Sequence, residues 1–316
     1  MRRPALQLLA LLLLLPFATT SLHAQDWAKA RLDASPRHRE WVPLKHGDRV
    51  VQAYVAYPEV SGKVPVVILI HEIFGLSDWA REMADELAAA GYIVIAPDLL
   101  SGFGPNNGGS SAFPDQEATV KAVSALNPDT VNADLDAAAD YAKTIPSANG
   151  KLTVAGFCWG GSKSFAFATH RHDLSAAFVF YGTPPPDSDL AKITAPVYGF
   201  YAGNDARVGA TVPGTITAMK AANKMYEPVT YDGAGHGFMR AGEDPTNTNP
   251  ANKTAREQAF TRLTTLLKQI NTGKPTATLT TPQTLKATTT KPTPQILCHD
   301  PGMQMPQQAT QTTGSM

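Results

Sequence analysis

The stretch Lys151-Leu152-Thr153-Val154-Ala155-Gly156-Phe157-Cys158-Trp159-Gly160-Gly161 decides how this chain folds. Residues 151–155 read as a buried strand, and a helical pattern over about 161–170 begins directly after the glycines. A strand that turns sharply into a helix is the setting of a nucleophile elbow, and Cys158 occupies the nucleophile position. Gly156 and Gly160 have a steric task, keeping side chains from colliding where strand and helix pass closely. A thiol changes the chemistry, because the attacking species is thiolate and that state needs a base or a positive neighbour. A buried structural cysteine beside a tight turn is the bland alternative, and partners elsewhere in the chain weigh against it.

Outward from the elbow, strands and helices alternate. Residues 49–57 alternate apolar and polar, as a half-buried strand at an exposed edge does, whereas 64–70 is a continuous apolar run suited to a strand covered on both faces. Ser77 or Asp78 caps a helix that Gly91 stops, and a second buried strand over 92–96 ends in Pro97-Asp98. Helices follow at about 130–144, 215–222 and 253–270, with strands at 176–181, 197–201 and 227–231. This alternation predicts an α/β fold with a mostly parallel central sheet and helices on both faces. Ligands bind beyond the carboxyl ends of such strands, so the chemistry belongs to the loops there.

Two of those loops carry Asp205 and His236. Tyr201-Ala202-Gly203-Asn204-Asp205 follows one buried strand, and Asp232-Gly233-Ala234-Gly235-His236-Gly237-Phe238 follows the next. The order Cys158, Asp205, His236 is nucleophile, acid, histidine, the order of an α/β-hydrolase triad. His236 accepts the thiol proton in this reading, and Asp205 holds the ring tautomer. Asp232, four residues from the histidine, and Asp98, ahead of the nucleophile, are weaker candidates; a turn-forming role is the bland reading of Asp205. A third loop holds His71-Glu72-Ile73-Phe74-Gly75, where a zinc-protease helix is ruled out because Gly75 stands four residues after His71 and the pair ends a strand. A charged Glu72 there needs a partner. Proximity to Cys158 at the shared sheet edge and local backbone capping are both open.

The ends of the chain are of different composition. Arg2-Arg3 precede an apolar run over 6–17 broken only by Gln7, and Leu22-His23-Ala24 offers a cleavage site, so residues 1–24 are expected to be a signal peptide and the protein periplasmic or secreted. The run is too short for a bilayer-spanning anchor, and no stable membrane attachment is expected after cleavage. Residues 272–316 hold 13 Thr, 6 Pro and 6 Gln without an aromatic, too little to bury a core, and are expected to be disordered. Between them, 25–271 is read as one domain. Cys298-His299 with Met303 and Met305 are soft-metal ligand types without a defined geometry, so no metal is assigned. Zero net charge with 17% charged residues leaves no footprint for nucleic acid.

The motifs together, His71-Glu72-Ile73-Phe74-Gly75-Leu76, Ala96-Pro97-Asp98-Leu99, Gly156-Phe157-Cys158-Trp159-Gly160-Gly161, Gly203-Asn204-Asp205 and Gly235-His236-Gly237-Phe238-Met239-Arg240, resemble the dienelactone hydrolase family over nearly all of 49–270. The resemblance implies the α/β-hydrolase fold and the triad Cys158, Asp205, His236. It also implies that Glu72 holds the resting cysteine protonated and accepts the thiol proton once substrate has moved it. By the same resemblance the amides of Ile73 and Trp159 form an oxyanion hole, and Arg240 pairs with a substrate carboxylate, where the residue pattern alone leaves a solvated arginine open. Chlorocatechol-pathway members usually carry a second substrate-binding Arg after the Pro-Asp-Leu motif, and none stands in Leu100-Ser101-Gly102-Phe103-Gly104.

These readings lead to a cysteine-nucleophile hydrolase of small lactones or carboxylic esters, working through an acyl thioester without a cofactor. Two other classes compete with this reading. A noncatalytic carbohydrate- or partner-binding domain retains a fold without its chemistry, and an intact triad with Glu72 argues against it. A thiol redox protein would pair Cys158 with Cys298, which lies in the tail with no neighbouring cysteine.

Overall fold

The structure is a computed structural model that describes residues 25–273 and 283–285. The expected signal segment, and Cys298, His299, Met303 and Met305, lie outside the described residues. The described residues begin with α1 (Asp26–Ala34), β1 (Arg39–His46), β2 (Arg49–Ala56), β3 (Val64–Ile70), α2 (Asp78–Ala89), β4 (Ile93–Pro97), α3 (Gln116–Ser124) and α4 (Pro128–Thr144). They continue through β5 (Ala148–Phe157), α5 (Trp159–His170), β6 (Ala176–Phe180), α6 (Asp187–Leu190), β7 (Val197–Ala202), α7 (Ala206–Gly209) and α8 (Val212–Ala221). β8 (Tyr226–Tyr231), α9 (Phe238–Ala241), α10 (Pro250–Thr272) and β9 (Gln283–Leu285) are the last elements among the described residues.

The strands form one sheet in the order β1-β2-β4-β3-β5-β6-β7-β8-β9. β1 and β2, and β2 and β4, are antiparallel, and every later neighbour pair is parallel. Alternation along each central strand splits the core into two. Val67 and Leu69 of β3 pack with the apolar faces of α1, α2 and α10, while Val66, Ile68 and Ile70 pack with α4 and α5. Burial on both faces is why these strands read as unbroken apolar runs. Helix ends follow local chemistry: Ser77 accepts from Ala80 N–H at the start of α2, and Asn249 with Pro250 opens α10.

The edge expectation needs correction. β2 is paired on both sides, and the exposed edge is β1, joined to it through the two-residue turn Gly47-Asp48 with Gly47 at φ +53°. A Gly-Asp pair between alternating runs is a hairpin signal. The tail is corrected at three residues: Gln283–Leu285 adds to the open edge of β8 in parallel register, and Asp232 N–H donates to Leu285 O at 3.0 Å. An unpaired strand edge offers backbone groups that need few side-chain contacts, so a Thr-rich segment can use them.

Candidate active site

Four carboxyl-end loops converge on the elbow. Cys158 sits between β5 and α5 at φ +57° and ψ −115°, a conformation that costs an L residue about 1 to 3 kcal/mol and persists only when its surroundings enforce it. They do so by contact. A Cβ on Gly156 would stand 1.9 Å from Gly160 O, and one on Gly160 2.3 Å from His71 O, so β5, the head of α5 and the loop after β3 touch backbone to backbone. Cys158 N–H donates to Phe180 O at 3.0 Å, tying the elbow to β6.

The structure brings Cys158, His236 and Asp205 into one chain. His236 Nε2 stands 3.1 Å from Cys158 Sγ, and Nδ1 stands 2.5 Å from Asp205 Oδ2. The other carboxylate oxygen of Asp205 accepts Val208 N–H at the start of α7, so the side chain is held at both ends. Asn204 links the two loops that supply acid and histidine, its N–H donating to Ala234 O and its Nδ2 to Gly233 O. The competing carboxylates are elsewhere: Asp232 is exposed, and Asp98 is buried against Ser110 and Leu100 N–H. Partial burial disfavours charge on the His236 ring, but the hydrogen bonds to the Cys158 sulfur and the Asp205 carboxylate outweigh it and push its pKa up to about 9. An imidazolium is the counter-ion that a thiolate nucleophile needs.

Glu72 and Arg240 meet each other. Arg240 Nε donates to Glu72 Oε2 at 2.8 Å, Glu72 is only 3% exposed, and Tyr181 O–H lies 3.4 Å from Oε1. Arg240 is therefore neither a solvated surface residue nor an unengaged anchor; its guanidinium also lies 5.0 Å from the Phe74 ring centre. Ile73, in the loop after β3, and Trp159, first in α5, hold amides that donate to no group among the described residues.

Tyr181 is a site residue that the sequence reading passed over as the end of a strand. It takes φ +40°, is 1% exposed, and meets the His236 ring edge-on at 5.0 Å and Phe238 at 5.2 Å. Its position at a strand's carboxyl end, before Gly182, is the signal that was available. Glu82, Glu86 and Glu243 are a metal-ligand grouping among the described residues, but each already has an arginine against one of its oxygens, Arg31 at Glu82 and Glu243 and Arg256 at Glu86 and Glu243.

The sequence profile of the Dienelactone hydrolase family matches residues 51–271. The chain belongs to the dienelactone hydrolase family. Proteins of Salmonella typhi and Escherichia coli K12, each bearing the name "Putative carboxymethylenebutenolidase", are similar to it. The first is 35% identical over 237 residues, 71% of this chain and 83% of the relative; the second is 36% identical over 199 residues, 59% and 72%. A Klebsiella pneumoniae crystal structure titled as a putative dienelactone hydrolase superposes with a TM-score of 0.65 at 29% identity, covering 74% of this chain and 99% of that one. The nine-stranded sheet is thus that of an α/β-hydrolase, and this dienelactone hydrolase family member is a hydrolase.

Proposed function

We propose that this protein hydrolyses lactones or carboxylic esters with Cys158 as nucleophile, through an acyl thioester. The observation that carries the reading is the hydrogen-bonded chain Cys158, His236, Asp205 at the strained elbow. The Cys158 thiolate attacks the carbonyl carbon, and the electron pair displaced onto oxygen is received by the amides of Ile73 and Trp159. Collapse re-forms the carbonyl, breaks the bond to the ester oxygen, and protonates the leaving oxygen from His236. In a lactone that oxygen stays attached to the acyl chain, so the ring opens. Neutral His236 then takes a proton from water, whose hydroxide attacks the thioester, and the acid leaves as Cys158 regains its electron pair. Asp205 keeps the ring oriented and stabilises its charged form in both halves.

Arg240 and Glu72 give this cycle a substrate-dependent element. A substrate carboxylate competes with Glu72 for Arg240, and the displaced Glu72 becomes available as a base toward the thiol. With no second arginine after Pro97-Asp98-Leu99, one carboxylate anchor remains, which fits singly charged lactones or neutral esters. The positive N-terminus and short apolar run support export to the periplasm or outside, and no helix among the described residues is long and apolar enough to cross a membrane.

The test is a panel of p-nitrophenyl esters and enol lactones on the protein and on Cys158→Ala. Turnover by the parent and none by the variant is expected. Flat activity across the parent's panel would instead point to a binding domain that kept the fold.

A further inference from the structure

His71 closes β3's apolar run, and no step above uses it. It is completely buried. Its Nδ1 lies 2.7 Å from the carbonyl oxygen of Glu72, the residue next to it. A carbonyl oxygen only accepts, so Nδ1 carries the hydrogen. Burial pushes the ring's pKa down, which leaves it neutral and makes Nε2 a bare lone pair; that atom has no hydrogen-bond partner among the described residues. The ring also lies nearly parallel to the Trp159 indole, 10° between planes and 5.6 Å between centres. One imidazole thus touches Trp159 and the carbonyl end of the Glu72–Ile73 peptide, whose amide end is the other oxyanion donor in the proposed reaction.

The peptide unit between Glu72 and Ile73 is trans, so its C=O and N–H point in opposite directions. Whatever holds Glu72 O therefore aims Ile73 N–H. Two donors hold it, the His71 ring and, at 3.2 Å, Gly75 N–H. The ring bond is the shorter. We propose that His71 is a positioning residue for the oxyanion hole: its Nδ1–H orients the Glu72–Ile73 peptide so that Ile73 N–H faces the reacting carbonyl, and its ring buttresses Trp159. This rests on the oxyanion reading above and assigns His71 no contact with substrate.

His71→Phe tests it, because a phenyl ring keeps the stacking surface and removes the donor. The side-chain amide of His71→Asn restores a donor close to the Nδ1 position. Steady-state kinetics on an ester that the parent cleaves are paired with the rate of Cys158 alkylation by iodoacetamide. Alkylation displaces iodide without building an oxyanion, so it reads the nucleophile alone. Expected for His71→Phe is a kcat lower by roughly 10- to 100-fold, with KM and alkylation near the parent's, since a slightly misaimed donor is costly only in the transition state. His71→Asn should recover a large part of that loss. Where His71→Phe does not fold, His71→Leu removes the same donor with less bulk. An unchanged kcat, a parallel fall in turnover and alkylation, or an Asn variant no better than Phe would each overturn the proposal. Failure of the underlying reading shows separately, as ester turnover surviving in Cys158→Ala, and removes the His71 role with it.

Discussion

Cys158 holds its positive φ because the chain around it leaves nowhere else to go, and that strain points the sulfur at His236. Cys158→Ala should abolish ester turnover while leaving the melting curve in place, since it deletes one sulfur from a half-buried site; His236→Ala should do nearly as much damage. The His236 value near 9 sets a pH dependence. As pH rises through about 9 the ring loses the proton that the leaving oxygen takes, so kcat/KM should fall there. The sign for stability is the same: a histidine whose folded pKa is raised contributes fully below about 6.5 and loses that contribution as pH rises through 9. A pH–rate profile with no alkaline limb near 9 contradicts the assignment. Arg240 carries a different test, because it neutralises buried Glu72 before any substrate arrives. Arg240→Ala should lower the melting temperature by leaving that carboxylate unpaired. It should also cut kcat/KM for a carboxylate-bearing lactone by roughly 10- to 150-fold more than for a neutral ester, equivalent to about 1.5 to 3 kcal/mol. Equal losses on the two substrates would remove Arg240 from the substrate's contacts. None of this pairing was legible in the sequence, where Glu72 and Arg240 stand 168 residues apart and each had a bland reading.

Elements meet where backbones touch. At the junction of β3, β5 and α5, a methyl group on Gly160 would stand 2.3 Å from His71 O and 2.4 Å from Ile70 O, both backbone atoms that cannot swing aside. Gly160→Ala should therefore cost about 3 kcal/mol, at the top of the usual range for overpacking, measured by urea unfolding. The Gly156 and Gly160 spacing made that close pass readable from sequence alone. A second junction, between α1, α2 and α10 and the segment after α9, was not readable. Burial, and then the charges of Glu243 and Glu86, push the Glu82 carboxyl up to about 9, so it is protonated at neutral pH. An unfolded chain releases that proton near 4.5. Between these values the folded state binds more protons than the unfolded one, so this group makes stability fall as pH rises from about 4.5 to 9. Glu82→Gln keeps the protonated shape, and unfolding at pH 5, 7 and 9 should show a flatter dependence with higher stability at pH 9. An unchanged slope would mean that Glu82 is ionised in the fold.

For the whole molecule, β9 is the outermost strand of the sheet and exposes two of its three residues. Ending the chain after Gly273 should therefore cost at most about 1 kcal/mol, or roughly 2 to 4 °C in Tm, and leave turnover unchanged. A larger loss of either would mean that β9 contributes more to the fold than its three edge residues suggest. The sequence by itself determined the alternation of the central strands and longer helices between 49 and 270, the parallel character of the sheet centre and the three loops bearing Cys158, Asp205 and His236, but not α1, β1, α3 or β9. Those are local signals: apolar runs mark strands buried on both faces, glycines mark tight turns, and a motif needs only its neighbours. Tertiary structure alone decided which strand is the edge, that Glu72 is held by Arg240 and Tyr181, that Tyr181 lies against the histidine, and that His71 holds the Glu72 carbonyl while stacking on Trp159. Each depends on how far-separated loops pack at one end of the sheet. A side chain's partner there is set by distances across the fold, which no pattern along the chain encodes.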